Sequence, residues 1–174
     1  MIILITGDTH TGKTRLARQL MIQKQISCLS QDHIKMGLIR SGYTDLTPED
    51  PDEVLTAYLW PVTREIIKTA IENHQELIIE GCYIPGNWKQ DFDETYLAEI
   101  RYICLCFSES YIEKHYEDIR KYASCVEARV DEDYCTKELL LKGNARFRES
   151  CEKNGLPYCL ITEDYEQTIA KITF

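Results

Sequence analysis

The sequence predicts a three-layer α/β domain, a five-stranded parallel sheet with helices on both faces and a small lid. Two observations carry that expectation. Five short apolar runs alternate with helical patterns along the 174 residues, the order that builds parallel sheets through right-handed crossovers. The first run, 1–6 (MIILIT), leads at once into Gly7-Asp8-Thr9-His10-Thr11-Gly12-Lys13-Thr14, which matches G-x-x-x-x-G-K-[ST], and then into a helical pattern over 14–24. Strand, glycine-rich loop and helix in that order form a phosphate-binding unit. The length suits one domain spanning 1–174.

Each position of the loop has a physical reason. Gly7 and Gly12 let the backbone bend around a phosphate, and the N–H groups of Asp8, Thr9, His10 and Thr11 between them can turn inward. Lys13 supplies a cation for the outer phosphates, Thr14 can offer its hydroxyl to Mg²⁺, and the helix that begins here points the positive end of its dipole at the same anion. Asp8 is awkward in such company and must point away from the phosphates.

The second strand is expected at 26–30 (ISCLS), followed by an abrupt polar turn at Gln31-Asp32-His33. Asp32 therefore sits at the carboxyl end of a strand, the edge where parallel sheets bind ligands. It can orient or deprotonate an acceptor there, and it can also cap the short helix that follows. Lys35 and Arg40 on that helix are candidates for gripping an anionic substrate, against the plainer role of a solvated helix face. Gly42 is placed to end the helix.

A long helical face follows, with Val54, Leu55, Tyr58, Leu59, Val62, Ile66, Ile67, Ala70 and Ile71, and Pro61 is expected to kink it or split it in two. Residues 33–73 would thus hold the substrate-binding helices, with Tyr58 and Trp60 serving as core or as pocket wall. The third strand, 76–80 (ELIIE), ends in Glu80, a second carboxylate at the ligand edge, which can hold Mg²⁺ through water or take a proton. Residues 83–88, beginning with Tyr83, read as a loop on the substrate side.

Strand four is expected at 101–107 (RYICLCF) and a charged helix at 108–120. Residues 121–135 have few aliphatic side chains and hold Arg129 among acids, the profile of a lid. Arg120 and Arg129 could close on the phosphates or pair with nearby Asp118, Asp131 and Asp133. A helix over 137–153 ends before Gly155, strand five occupies 158–161 (YCLI), and 162–165 opens a last short helix at the ligand edge, where a base could stack.

The formal charge of -9 argues against nucleic acid or an anionic membrane as partner. No apolar run approaches the 18 residues of a membrane span, and a strand already begins at residue 1, so a cytoplasmic location is expected. Of eight cysteines, Cys28, Cys104, Cys106 and Cys159 fall in expected strands and read as reduced core residues. Cys125 and Cys135 flank the lid, but no C-x-x-C pair organises a zinc site.

With the P-loop, Asp32, Glu80 and the 162–165 loop on one sheet edge, the chain resembles the P-loop small-molecule kinases, the nucleoside-monophosphate-kinase-like group that includes shikimate, gluconate, 2-phosphoglycerate and zeta-toxin-like kinases. The resemblance implies a three-layer P-loop NTPase fold and the cofactors ATP and Mg²⁺, with residues 7–14 on the phosphates and Thr14 on the metal. Asp32 would serve the acceptor hydroxyl, and Glu80-Gly81 stands where the family has an acid after its third strand. Arg120 and Arg129 match its basic lid in type, while R-x-D-D is only approached by Arg129-Val130-Asp131-Glu132 and D-G-x-P-R is absent. A phosphate acceptor needs no base, so two carboxylates favour a hydroxyl. The expected activity is transfer of the ATP γ-phosphoryl group to a hydroxyl of a small metabolite, anionic metabolites being among the candidates. The alternatives are a regulatory P-loop NTPase acting through a protein partner, and a nucleoside or nucleotide kinase. Monomer and homodimer both remain open.

Overall fold

A computed structural model describes residues 1–122 and 135–174. Five strands, β1 (Ile2–Gly7), β2 (Ser27–Ser30), β3 (Leu77–Glu80), β4 (Ile100–Phe107) and β5 (Tyr158–Ile161), form one sheet in the order β2-β3-β1-β4-β5. Every pairing is parallel. The helices are α1 (Lys13–Lys24), α2 (Gln31–Arg40), α3 (Asp52–Glu72), α4 (Glu94–Glu99), α5 (Glu109–Tyr122), α6 (Lys137–Asn154) and α7 (Tyr165–Ala170).

All six residues of β1 are buried, as a central strand covered on both faces requires. Its side chains alternate between two cores. Ile3 and Ile5 join Leu16, Leu20, Ile112 and Ile169 on one face, and Ile2 and Leu4 join Trp60, Ile67, Trp88 and Cys151 on the other. A third cluster of Leu55, Leu59 and Tyr83 lies under α2 and α3, with Ile34 and Leu38 packed against it.

Three expectations need correction. Pro61 does not break α3, which runs as one helix of 21 residues. Pro61 and Ala57, whose carbonyl loses its donor, are both exposed, so water can serve that carbonyl, while Leu55, Leu59, Thr63 and Ile67 on either side of the proline are buried and anchor the helix. Asp32 is not a helix cap. The helix begins directly after β2 at Gln31, which places Asp32 in the first turn. The stretch after the 83–88 loop also holds structure that apolar periodicity did not reveal, a 3₁₀ turn at Trp88–Asp91 and α4, whose Asp93 cap accepts hydrogen bonds from the N–H groups of Thr95 at 2.9 Å and Tyr96 at 3.3 Å. Most of the expected lid, Arg129 and Cys125 included, lies outside the described residues.

Candidate active site

The P-loop is bent as its glycines require. Gly7 has φ 140° and Gly12 φ 86°, both in the left-handed range that glycine tolerates. Space is as restrictive as torsion. A Cβ on Gly7 would stand 2.2 Å from the Leu105 carbonyl oxygen, and one on Gly12 would stand 1.7 Å from the Tyr165 hydroxyl. Tyr165, first residue of α7, therefore covers the loop, donating to the Thr11 carbonyl at 3.4 Å while the Arg15 guanidinium lies 5.4 Å from its ring centre. This is the 162–165 loop at the ligand edge.

Inside the loop, the Thr11 hydroxyl and the Lys13 ammonium both donate to the Asp8 carbonyl, at 2.8 and 2.7 Å. No side chain caps the N-terminus of α1, whose cap position is Gly12 itself. First-turn N–H groups left without a side-chain acceptor are the natural partners of an anion.

The sheet brings the first carboxylate to this loop. Glu80 lies in register with Ile5 on one side and Ser30 on the other. It is 2 % exposed, and its Oε2 accepts from the Thr14 hydroxyl at 3.1 Å. Burial pushes its carboxyl above the usual range, opposed first by the Ser30 hydroxyl and then by Lys13 and Thr14. Its second oxygen, Oε1, and the neighbouring Ser30 hydroxyl are both buried without a well-aligned hydrogen bond among the described residues. A hydroxyl beside a carboxylate with an unspent oxygen is a donor set suited to Mg²⁺, a hard cation that takes few protein ligands and keeps its waters and substrate phosphates. Among the described residues no group of three or more His, Cys, Asp or Glu side chains could hold a metal by itself.

The second carboxylate belongs to a different cluster. Asp32 pairs with Lys35 at 2.7 Å, and Lys35 also donates to the Tyr83 hydroxyl at 2.8 Å. Tyr83 is fixed in turn by buried Gln31, whose amide oxygen accepts from the Tyr83 N–H at 3.0 Å and whose amide nitrogen donates to the Tyr83 carbonyl and to Thr63. Asp32, Lys35 and Tyr83 thus come together, whereas Arg40 is exposed at the far end of α2. Arg120 lies in the last turn of α5 with its guanidinium 5.9 Å from the Tyr116 ring centre.

Asp8 points away from the cradle, into α6. Its Oδ2 accepts from Asn144 Nδ2 at 3.1 Å, and its carboxylate fills the space that a Cβ on Gly143 would need, 2.2 Å away. Asn144 is buried and spends its amide oxygen on the Phe107 N–H at 2.7 Å, so it ties the P-loop to the end of β4. Burial pushes the Asp8 carboxyl up to about 6, with Lys13 pulling the other way.

Sequence reasoning missed Asn144, Gln31 and Cys82. The Cys82 thiol, raised by burial, lies against Lys13 and lines a cavity of about 520 Å³ between α3, the residues after β3, and α6. Only the Glu-Gly-Cys context after a strand hinted at this neighbourhood; a buried Gln or Asn carries no local signal.

Comparison with known proteins fits this geometry. No protein-family model matches the chain, and no curated protein matches it in sequence. Solved structures do. A deoxyadenosine kinase from M. mycoides, with dCMP and dCDP bound, superposes with a TM-score of 0.58 at 16% identity, covering 98% of this chain and 95% of its own. A gluconokinase from Sinorhizobium meliloti 1021 gives 0.56 at 10% identity, covering 97% and 86%. A sugar kinase from Janibacter sp. HTCC2649 gives 0.53 at 16%, covering 98% and 90%. At such identities the likeness is one of fold, a parallel five-stranded α/β fold shared with these kinases.

Proposed function

We propose that this chain is an ATP-dependent phosphotransferase that moves the γ-phosphoryl group to a hydroxyl of a small molecule. The observation that carries the reading is the P-loop with Glu80 against its Thr14, 3.1 Å away, beside a cavity whose wall reaches Lys13 through Cys82. A nucleotide switch needs the first of these features and has no use for the second.

The chemistry divides among the chain's own residues. Backbone N–H groups of residues 7–14 and the start of α1 hold the β- and γ-phosphates, and Lys13 exchanges the Asp8 carbonyl for a phosphate oxygen. Asp32, held in place by Lys35, accepts the proton of the acceptor hydroxyl as its oxygen bonds to the γ-phosphorus and the bond to the β–γ bridging oxygen breaks, leaving ADP. Thr14 and Glu80 would hold Mg²⁺, which supplies charge neutralisation on the phosphates. We assign Arg120, whose Nε–H has no hydrogen-bond partner among the described residues, to the transferring phosphoryl group together with Arg129.

The test incubates the protein with Mg-ATP and pooled metabolites and follows ADP and new phosphorylated species by mass spectrometry. Acceptor-dependent product that disappears in Lys13→Ala supports the proposal. ADP release that no metabolite accelerates, joined to nucleotide-dependent capture of a protein partner, would establish the regulatory NTPase instead.

A further inference from the structure

The cavity against Cys82 has a chemistry that narrows the acceptor. We infer that it is the acceptor site and that it takes an uncharged or cationic hydroxyl compound built on a flat ring, in preference to an anion. The inference rests on the phosphotransferase reading above. Its volume, about 520 Å³, lies within the range of small-molecule pockets.

Two of its lining residues reach toward the P-loop. Cys82 lines the cavity and lies against Lys13, and Arg146 lines it from α6, near enough to Asp8 for each to act on the other's ionisation. A hydroxyl presented at the Cys82 end is directed toward the P-loop and toward Asp32, which lies outside the lining but near enough to Cys82 to act on its ionisation. Aromatic walls come from Trp60 and Phe147, and Trp60 is held in place by its Nε1–H donating to Asp91 at 2.6 Å. Fixed aromatic walls suit a flat ring.

The charged lining decides the sign. Asp52, Glu53 and Asp91 line the cavity with one lining cation, Arg146, and Asp91 also lies 3.7 Å from Arg64 outside the lining, so three carboxylates share two guanidinium groups. Arg146 is already committed, 2.7 Å from Asp52 and 3.1 Å from Glu53. An anion recruiting Arg146 would leave both carboxylates uncompensated in the wall beside it, and carboxylate–carboxylate repulsion would offset the new pair. Neither Lys35 nor Arg40 lines the cavity, and Lys35 is occupied by Asp32 and Tyr83. A ring-bearing amine meets the opposite situation, with surplus carboxylate on hand.

Three probes with the same ring and the same hydroxymethyl group separate charge from shape: benzyl alcohol, 4-(aminomethyl)benzyl alcohol and 4-(hydroxymethyl)benzoate. Calorimetric titration of the full chain with each, at up to millimolar concentration with Mg-ADP present, should give binding of the first two and at least about tenfold weaker binding of the benzoate. Arg146→Gln should strengthen binding of the amine, and Phe147→Ala should weaken binding of all three while thermal melting shows the fold intact. Preference for the benzoate, lost in Arg146→Gln, would overturn the inference, as would no binding of any probe. Binding is read without turnover, so failure here leaves the phosphotransferase reading standing, and failure of transfer leaves this measurement intact.

Discussion

Asp8 is the residue whose environment departs furthest from what a phosphate-binding loop needs. Its carboxyl is driven by burial from 3.8 up to about 6, so the native protein holds that proton more tightly than the unfolded chain. Stability contributed by the protonated form is present below 3.8 and is lost as pH rises through about 6. Asp8→Asn removes the loss and keeps an acceptor for Asn144. The stability gap between variant and wild type should widen from pH 4 to 6 and stay flat above, reaching at most about 3 kcal/mol in urea titrations. A gap independent of pH would mean that Asp8 holds its proton no more tightly in the native protein than in the unfolded chain. Glu80 differs from Asp8 because its carboxylate faces the Thr14 hydroxyl in the first turn of α1, whereas Asp8 faces the middle of α6. Glu80→Gln keeps the shape and removes the charge, and phosphoryl transfer should fall by about 100-fold or more while the melting temperature holds or rises. Retained turnover would remove Glu80 from the metal site.

At the scale of elements, α6 is seated on the P-loop through a gap left by one missing methyl group. Gly143 stands inside a helix, where alanine would ordinarily stabilise by about 1 kcal/mol. Here its Cβ would meet the Asp8 carboxylate at 2.2 Å, so Gly143→Ala should destabilise by about 1 to 3 kcal/mol. In an Asp8→Ala background the sign should reverse, and a double-mutant cycle by thermal melting measures that coupling. The same seat shows what the sequence could and could not reveal. A strand such as LIIE or a loop such as GDTHTGKT is declared within a few contiguous residues, and those elements stand where their patterns put them. Asn144 reaches Asp8 across 136 positions, and nothing in the residues around Asn144 marks it as more than one polar residue of a charged helix. Asp52 and Glu53 form the acidic first turn of α3 and Arg146 is one basic residue of α6, and only the fold sets them in one wall. Pairings across elements decide the site, while periodicity within an element decides the fold.

For the molecule as a whole, nucleotide binding should appear as stability, because a P-loop held by β1, α1, α6 and Tyr165 exists only in the native state. A ligand that binds the folded chain alone stabilises it by about 2.7 kcal/mol at 100 times its dissociation constant. For a domain of this size that corresponds to roughly 5 to 10 °C in melting temperature. Mg-ATP should produce such a shift in wild type. In Lys13→Ala the shift should shrink strongly, since the ammonium that now rests on the Asp8 carbonyl would no longer be there to meet a phosphate. In Glu80→Gln a shift should persist with ATP but lose its dependence on Mg²⁺, because Thr14 would keep a hydrogen-bonding neighbour without the carboxylate charge. The two variants therefore separate phosphate recognition from metal recognition in one melting experiment. A Mg-ATP shift that survives Lys13→Ala unchanged would place the nucleotide somewhere other than the loop between Gly7 and Thr14.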